Sequence, residues 1–285
     1  MKFGVYSIVV PDYPMEGAAA KVAAAGYTGI EWTVGYQKAV WDGKSEWHVS
    51  YTNLEEDAKR AAKIARDHKL DVPSLGTSCA SNDFEKMRRL MDAALVMNCH
   101  MIRVASAGYN GKENYDVLFS RVRKDYETVE KVAREKGVKA VIELHHGTIG
   151  SSASAMRRLL EGFDPKCIGA MFDPGNMIHD GMEAWQMGIE ILGPYLCHVH
   201  AKNYGWYKMP DGKWRTQPTA LEDGIADFRQ VLRALHKVGY KGYIDLEDFR
   251  GGYCVKPVGI TTEEKLAQAI SFLKSALAEI QGKQA

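Results

Sequence analysis

The feature that most constrains this chain is an unbroken alternation of short apolar runs with amphipathic stretches, from its first residues to its last. Runs of strand character are predicted at Phe3–Val10, Gly29–Trp32, Val72–Gly76, Met101–Ala105, 139–147, Ile168–Phe172, Tyr195–Ala201 and Gly242–Leu246. Between and after them lie helical patterns: Met15–Ala25 stopped by Gly26, Asn53–His68 with Asn53 as cap, Asn82–Met97, and Tyr115–Lys136 closed by Gly137. Further helices are expected over Ser152–Leu160, Met182–Leu192, Phe228–Val238 and Glu263–Ile280. Eight strands, each followed by a helix and with no linker between them, predict a single (β/α)8 barrel domain over residues 1–285. An open doubly wound sheet would need a glycine-rich phosphate loop after its first strand, and Val9-Val10-Pro11-Asp12-Tyr13-Pro14 is not one.

Charge narrows the range of partners. Lys and Arg number 37 against 36 Asp and Glu, which leaves a formal charge of +1 and no footprint for nucleic acid. The five cysteines form no Cys-x-x-Cys pair, which fits a reducing compartment, and the start of the chain reads as a strand rather than a signal peptide. No run is long and apolar enough to span a bilayer, so the expectation is a cytoplasmic protein.

The chemistry concentrates at strand ends. The fifth run, Lys-Ala-Val-Ile-Glu-Leu-His-His-Gly over 139–147, carries Glu143 and His145, which strand alternation would turn to one side, with Ile142, Leu144 and His146 on the other. Asp173 closes the sixth run, His200 lies near the end of the seventh and Glu247 follows the eighth. These positions are separated by about one barrel repeat of ~30 residues, the last lengthened by the segment 202–223, so all four fall on the carboxyl face where such barrels do their chemistry. Taken singly, each has a plain alternative: Asp173 as a helix cap in Asp-Pro-Gly-Asn, Glu247 as a solvated strand end, His200 as a hydrogen-bonded core histidine. Four metal-type groups at successive strand ends are hard to obtain by accident. Three carboxylates and one imidazole suit a six-coordinate divalent ion, Mn²⁺ first, with Mg²⁺, Co²⁺ or Zn²⁺ as alternatives. Such a site leaves positions for a substrate hydroxyl and carbonyl, with the enediolate stabilised once the neighbouring carbon loses its proton.

Several stretches resemble the xylose isomerase-like barrel superfamily, the group of sugar phosphate isomerases, epimerases and endonuclease IV. They are Tyr27-Thr28-Gly29-Ile30-Glu31, Val141-Ile142-Glu143, Met171-Phe172-Asp173-Pro174-Gly175-Asn176, His198-Val199-His200-Ala201-Lys202-Asn203 and Gly242-Tyr243-Ile244-Asp245-Leu246-Glu247. The resemblance implies that Glu143, Asp173, His200 and Glu247 hold the metal. Ketose 3-epimerases of the group place a histidine where this chain has Asn176 and an acid where it has Ile149. The pair Glu143 and His145 is instead similar to the metal-dependent lyases and dehydratases, including catalytic subunits that cleave 3-keto-glycosides, in which a histidine beside the metal takes the acidic proton.

The expectation is therefore β-elimination from a keto-sugar, with His145 as base and Glu143 and Glu247 taking part in the chemistry. A sugar isomerase or epimerase, in which Glu247 would serve as second acid–base group, stands as the alternative, and a non-catalytic sugar-binding barrel as a third. His145 as a mere support for Glu143 stays open beside the catalytic role. Glu31, Lys202 and Asn176 are expected at the substrate. Aromatics crowd the segments after the second and seventh strands: Trp32, Tyr36, Trp41 and Trp47 in one, Tyr204, Trp206, Tyr207 and Trp214 in the other. Of these, Trp47, Trp206 and Trp214 are candidates for a sugar ring, or equally for packing against a second subunit. A homo-oligomer and a small partner subunit both stay open.

Overall fold

The computed structural model describes residues 1–35, 48–251 and 259–282. Eight parallel strands close on themselves: β1 (Lys2–Tyr6), β2 (Gly29–Gly35), β3 (Leu75–Cys79), β4 (Met101–Val104), β5 (Lys139–Glu143), β6 (Ile168–Phe172), β7 (Leu196–Ala201) and β8 (Tyr243–Leu246). Each pairs with its neighbours in sequence, and β1 joins β8 on one side and β2 on the other, with Gly4 opposite both Asp245 and Gly29. This is the (β/α)8 barrel the alternation predicted.

Its strands read as continuous apolar runs because helices cover one face and the barrel interior fills the other; all five residues of β6 are buried. The helices start where a side chain can satisfy the free N–H groups of a first turn. Asp83, Ser152 and Asp227 each accept from the N–H three residues on, and Asn114 from that of Asp116. The helix Tyr115–Lys136 ends at Gly137, whose φ of 67° lets the chain turn away. Asn53 precedes the helix Leu54–Asp67 as expected, but its side chain makes no capping bond.

Several boundaries differ from expectation for identifiable reasons. β1 stops at Tyr6 rather than Val10, because Ser7–Val9 tightens into a 3-10 turn held by the Val10 N–H on the Ser7 carbonyl. β3 begins at Leu75 rather than Val72, beyond Pro73, which has no N–H for a sheet ladder. β2 runs on to Gly35, carrying Trp32 into the core instead of into an aromatic lid. The helix expected at Met182–Leu192 begins at Trp185, and a further helix that was not expected, Pro174–Asp180, precedes it. The segment after β7 forms an antiparallel hairpin, Tyr204–Lys208 with Trp214–Pro218, turning through Asp211-Gly212. No helix among the described residues is long and apolar enough to cross a membrane.

Candidate active site

Each of the four expected groups arrives on its own strand end. Glu143 is the last residue of β5, His200 lies in β7, and Glu247 follows β8 with its N–H on the Ala201 carbonyl. Asp173 is a helix cap after all, since Oδ1 accepts from the Asn176 N–H at 2.9 Å, and this fixes its second oxygen towards the barrel axis. Cap and site residue are one and the same. All four side chains are buried, and one ligand-type atom from each lies within 4.8 Å of the others.

The bonds around this cluster are asymmetric. His200 donates Nε2–H to Glu31 Oε2 at 2.8 Å, while Nδ1 faces Glu143 Oε1 at 3.5 Å and Glu247 Oε2 at 3.4 Å without making a hydrogen bond. A buried imidazole nitrogen aimed at carboxylates and lacking a partner is what a metal-binding nitrogen looks like, and a carboxylate behind its other nitrogen is the usual support. Glu31 is thus wholly buried behind His200 and does not face the cavity where substrate contact was expected. Burial alone would raise its carboxyl, but His200 and His198 outweigh that and hold it well below the usual range. His198 continues the chain inwards, with Nε2 3.4 Å from Glu31 Oε2 and 3.1 Å from Asp245 Oδ2, all three fully buried.

Asn176, also expected at the substrate, is 1% exposed and holds the acids instead. Its Nδ2 donates to Glu143 Oε1 at 3.0 Å and to Asp173 Oδ2 at 2.7 Å, and His146 Nδ1 meets its Oδ1 at 2.9 Å. Arg103, at the end of β4, bonds Glu143 Oε2 at 2.8 Å from the other side. Against the cost of burial, Arg103 and then His200 and Lys202 keep the Glu143 carboxyl well below its ordinary value. Lys202 does reach the centre: its Nζ lies 2.8 Å from Asp173 Oδ2 and 2.5 Å from Glu247 Oε2. It has room because Gly175 carries no Cβ, which would stand 2.6 Å from the Lys202 Cγ. Negative charge is still in excess here, and burial together with Glu247 and Glu143 pushes Asp173 up to about 8 despite Lys202. A divalent cation answers that excess, so the donor set, the burial and the unpartnered His200 Nδ1 all fit one.

His145 stands in the loop beyond β5, not on it, so strand alternation does not govern its direction or that of His146. It nevertheless shares a cavity of about 210 Å³ with Glu143, Arg103, Thr77, Ser106 and Thr148. His145 Nδ1 lies 2.8 Å from the His146 carbonyl, which only accepts, so that nitrogen carries the proton. In the neutral ring Nε2 then keeps its lone pair.

Trp206 is exposed at 39%, and its indole N–H is spent on the Ile178 carbonyl; Trp214, on the same face of the hairpin, is 61% exposed. Trp32 is core. Trp47, Trp41 and Tyr36 lie outside the described residues. Sequence reasoning missed Arg103 and gave no role to His146, Asp245 or His198. A charged residue inside the apolar run of β4 was a signal for Arg103; nothing local marked His146.

A barrel with three carboxylates and one imidazole gathered at its carboxyl face is the class of protein that fold and site define. The pattern of the xylose isomerase-like TIM barrel family matches residues 19–276, and the chain belongs to that family. An inosose dehydratase of Clostridium perfringens is 28% identical over 130 residues, covering 41% of this chain and 42% of its own length. One from Klebsiella pneumoniae is 28% identical over 144 residues, 46% of this chain and 48% of its own. The chain thus spans less than half the length of these curated relatives. Among solved structures, a D-tagatose 3-epimerase-like protein covers 100% of both chains at 19% identity with a TM-score of 0.75. The 3-keto-D-glucoside 4-epimerase of E. coli covers 96% of this chain and 99% of its own at 14% identity, TM-score 0.71, a likeness of fold.

Proposed function

We propose that this chain is a divalent-metal-dependent lyase that removes a proton α to the ketone of a keto-sugar and expels the β-substituent, with 3-keto-glycosides as the substrate class. The observation that carries the proposal is the fixed tautomer of His145, which leaves an imidazole lone pair available in a cavity that also reaches Glu143. A divalent ion, Mn²⁺ by preference, held by Glu143, Asp173, His200 and Glu247 supplies Lewis acidity to the ketone and its neighbouring hydroxyl.

On a 3-keto-glucoside, His145 Nε2 takes the proton from C2, the C–H electrons form the C1–C2 double bond, and the C1–O bond breaks. The aglycone oxygen leaves with the electrons of the C1–O bond and takes a proton from water, and His145 returns its own proton to solvent. Asn176 and Arg103 hold Glu143 still while this happens. The similarity to inosose dehydratases supports elimination, since dehydration is the same step with hydroxide as leaving group. An epimerase would need Glu247 free as a second acid–base group, and Glu247 is engaged by Lys202.

The test is to incubate the protein with Mn²⁺ and an aryl 3-keto-glucoside, following enone absorbance and aglycone release, for the wild type and His145→Ala. Wild-type elimination that falls at least ~100-fold in the variant is expected, within the usual contribution of a general base. Elimination surviving the substitution at full metal occupancy removes His145 from the chemistry. Ketose interconversion without aglycone release would favour the epimerase.

A further inference from the structure

His146 is packed between two other imidazoles. The His145 ring stacks on one of its faces, with centroids 4.4 Å apart, and the His179 ring on the other at 4.3 Å, tilted by 25° and 16°. His179 is backed in turn by Tyr204, edge-on at 4.9 Å, and by Trp206 at 6.1 Å, so the hairpin after β7 closes the stack. At its edge, His146 Nδ1 meets Asn176 Oδ1 at 2.9 Å.

The polarity of that contact follows from the acids beyond it. The other end of the Asn176 amide lies 3.0 Å from a Glu143 oxygen and 2.7 Å from an Asp173 oxygen, and both groups already act as acceptors: Glu143 towards the Arg103 guanidinium, Asp173 towards the Lys202 ammonium at Oδ2 and the Asn176 N–H at Oδ1. The NH₂ must face them, Oδ1 must face His146, and His146 Nδ1 must carry the hydrogen. A reversed amide would set its oxygen against two carboxylates. The backbone of His146 provides the carbonyl that fixes the His145 tautomer.

We propose that His146 is a positioning residue that joins the metal-binding half of the site to the proton-abstracting half. Its Nδ1–H sets the sense of the Asn176 amide that spaces Glu143 and Asp173, and its ring face sets the plane of His145. This rests on the function proposed above.

The two tasks use different parts of one side chain, so two substitutions separate them. His146→Phe keeps a flat ring for His145 and loses the donor. His146→Asn places an amide NH₂ near the former Nδ1 and loses the ring. Two measurements read them: the Mn²⁺ dissociation constant by calorimetry, without substrate, and exchange of the C2 proton of methyl 3-keto-glucoside in D₂O by NMR at saturating Mn²⁺. His146→Phe is expected to weaken Mn²⁺ binding ~10- to 100-fold, the usual effect of losing a bond behind a metal ligand, with exchange within ~3-fold of wild type. His146→Asn is expected to keep Mn²⁺ binding within ~3-fold and to slow exchange ~10-fold or more, since the base is no longer held in line. Either variant moving both quantities together, or neither moving either, overturns the proposal and makes the stack simple packing. A wild type that binds no Mn²⁺ and exchanges no proton would instead bring down the underlying function, and the role of His146 with it.

Discussion

Glu31→Gln tests whether the buried chain behind His200 serves the metal site. The substitution keeps shape and volume but replaces an ionised acceptor, 2.8 Å from His200 Nε2, with a neutral amide. A charge-assisted hydrogen bond is roughly twice as strong as a neutral one, and this one is wholly out of water, where screening is weak. With the carboxylate present, His200 is held as the Nε2–H tautomer and its Nδ1 is made more basic; with the amide, that push is lost. Support groups of this kind are typically worth ~10- to 100-fold in metal affinity, or about 1.4–2.7 kcal/mol. Calorimetric titration of Mn²⁺ into wild type and Glu31→Gln should therefore differ by at least one decade in Kd at unchanged stoichiometry. Circular dichroism establishes that both proteins are folded. A Kd within twofold of wild type, with both melts cooperative, would falsify the idea that Glu31 acts through His200. It would also make direct substrate contact by Glu31 worth revisiting.

Asp173→Ala should abolish stoichiometric Mn²⁺ binding, and chelation should abolish wild-type turnover with Mn²⁺ or Co²⁺ restoring it; normal affinity in the variant would mean the four-residue set is wrong. Lys202→Met removes an ammonium that lies between Asp173 and Glu247 and repels an incoming cation, so Mn²⁺ should bind at least as tightly while kcat falls ~10-fold or more. Unchanged kcat and KM would take Lys202 out of the site. His48 supplies a pH test of stability: burial lowers its imidazole to about 4, below the unfolded value of ~6.5, with bonds to backbone carbonyls opposing only in part. The unfolded chain then binds the extra proton between those values, so stability is complete above pH ~6.5 and falls as pH drops towards 4. Urea unfolding from pH 7.5 to 4.5 should show the wild-type advantage over His48→Gln shrinking by about 2–3 kcal/mol, and a difference that stays flat counts against the buried neutral imidazole.

What could be read from the sequence was whatever repeats along it. The barrel follows from periodicity, and Glu143, Asp173, His200 and Glu247 could be singled out because each stands at or beside a strand end, at intervals of about one repeat apart from the lengthened last one. What holds them was much less visible, because it comes from distant parts of the chain with no shared period. Glu31 lies 169 residues from His200, Arg103 lies 40 from Glu143, and Asn176 lies 33 from Glu143. Extending strand alternation past Glu143 misplaced His146, because a side chain beyond the last ladder bond answers to its partners rather than to the pleat. The hairpin after β7 was legible in principle from Asp211-Gly212 between two aromatic stretches, a turn signal that the aromatic residues themselves obscured.

Barrels of this kind are usually filled by layers of bulky branched side chains, yet here Glu31, His198, His200 and Asp245 lie fully buried across β2, β7 and β8. Gly4 makes the space, since a Cβ there would stand 2.2 Å from Asp245 Oδ1. Replacing such a buried ionic layer with packed apolar residues is often neutral or stabilising, so stability of the barrel does not explain why it is there. Among the described residues its outlet towards the site is His200, whose Nε2 it engages while Nδ1 faces the acids. The layer is best understood as the foundation of that imidazole: it fixes the ring's orientation and tautomer from below, while Asn176 fixes two of the carboxylates from the side. The cluster is thereby held from two directions before any ion or substrate binds, and the free energy spent on burying charge is recovered as ligands already set in place, with the Lys202 ammonium between Asp173 and Glu247 as the group an incoming cation displaces.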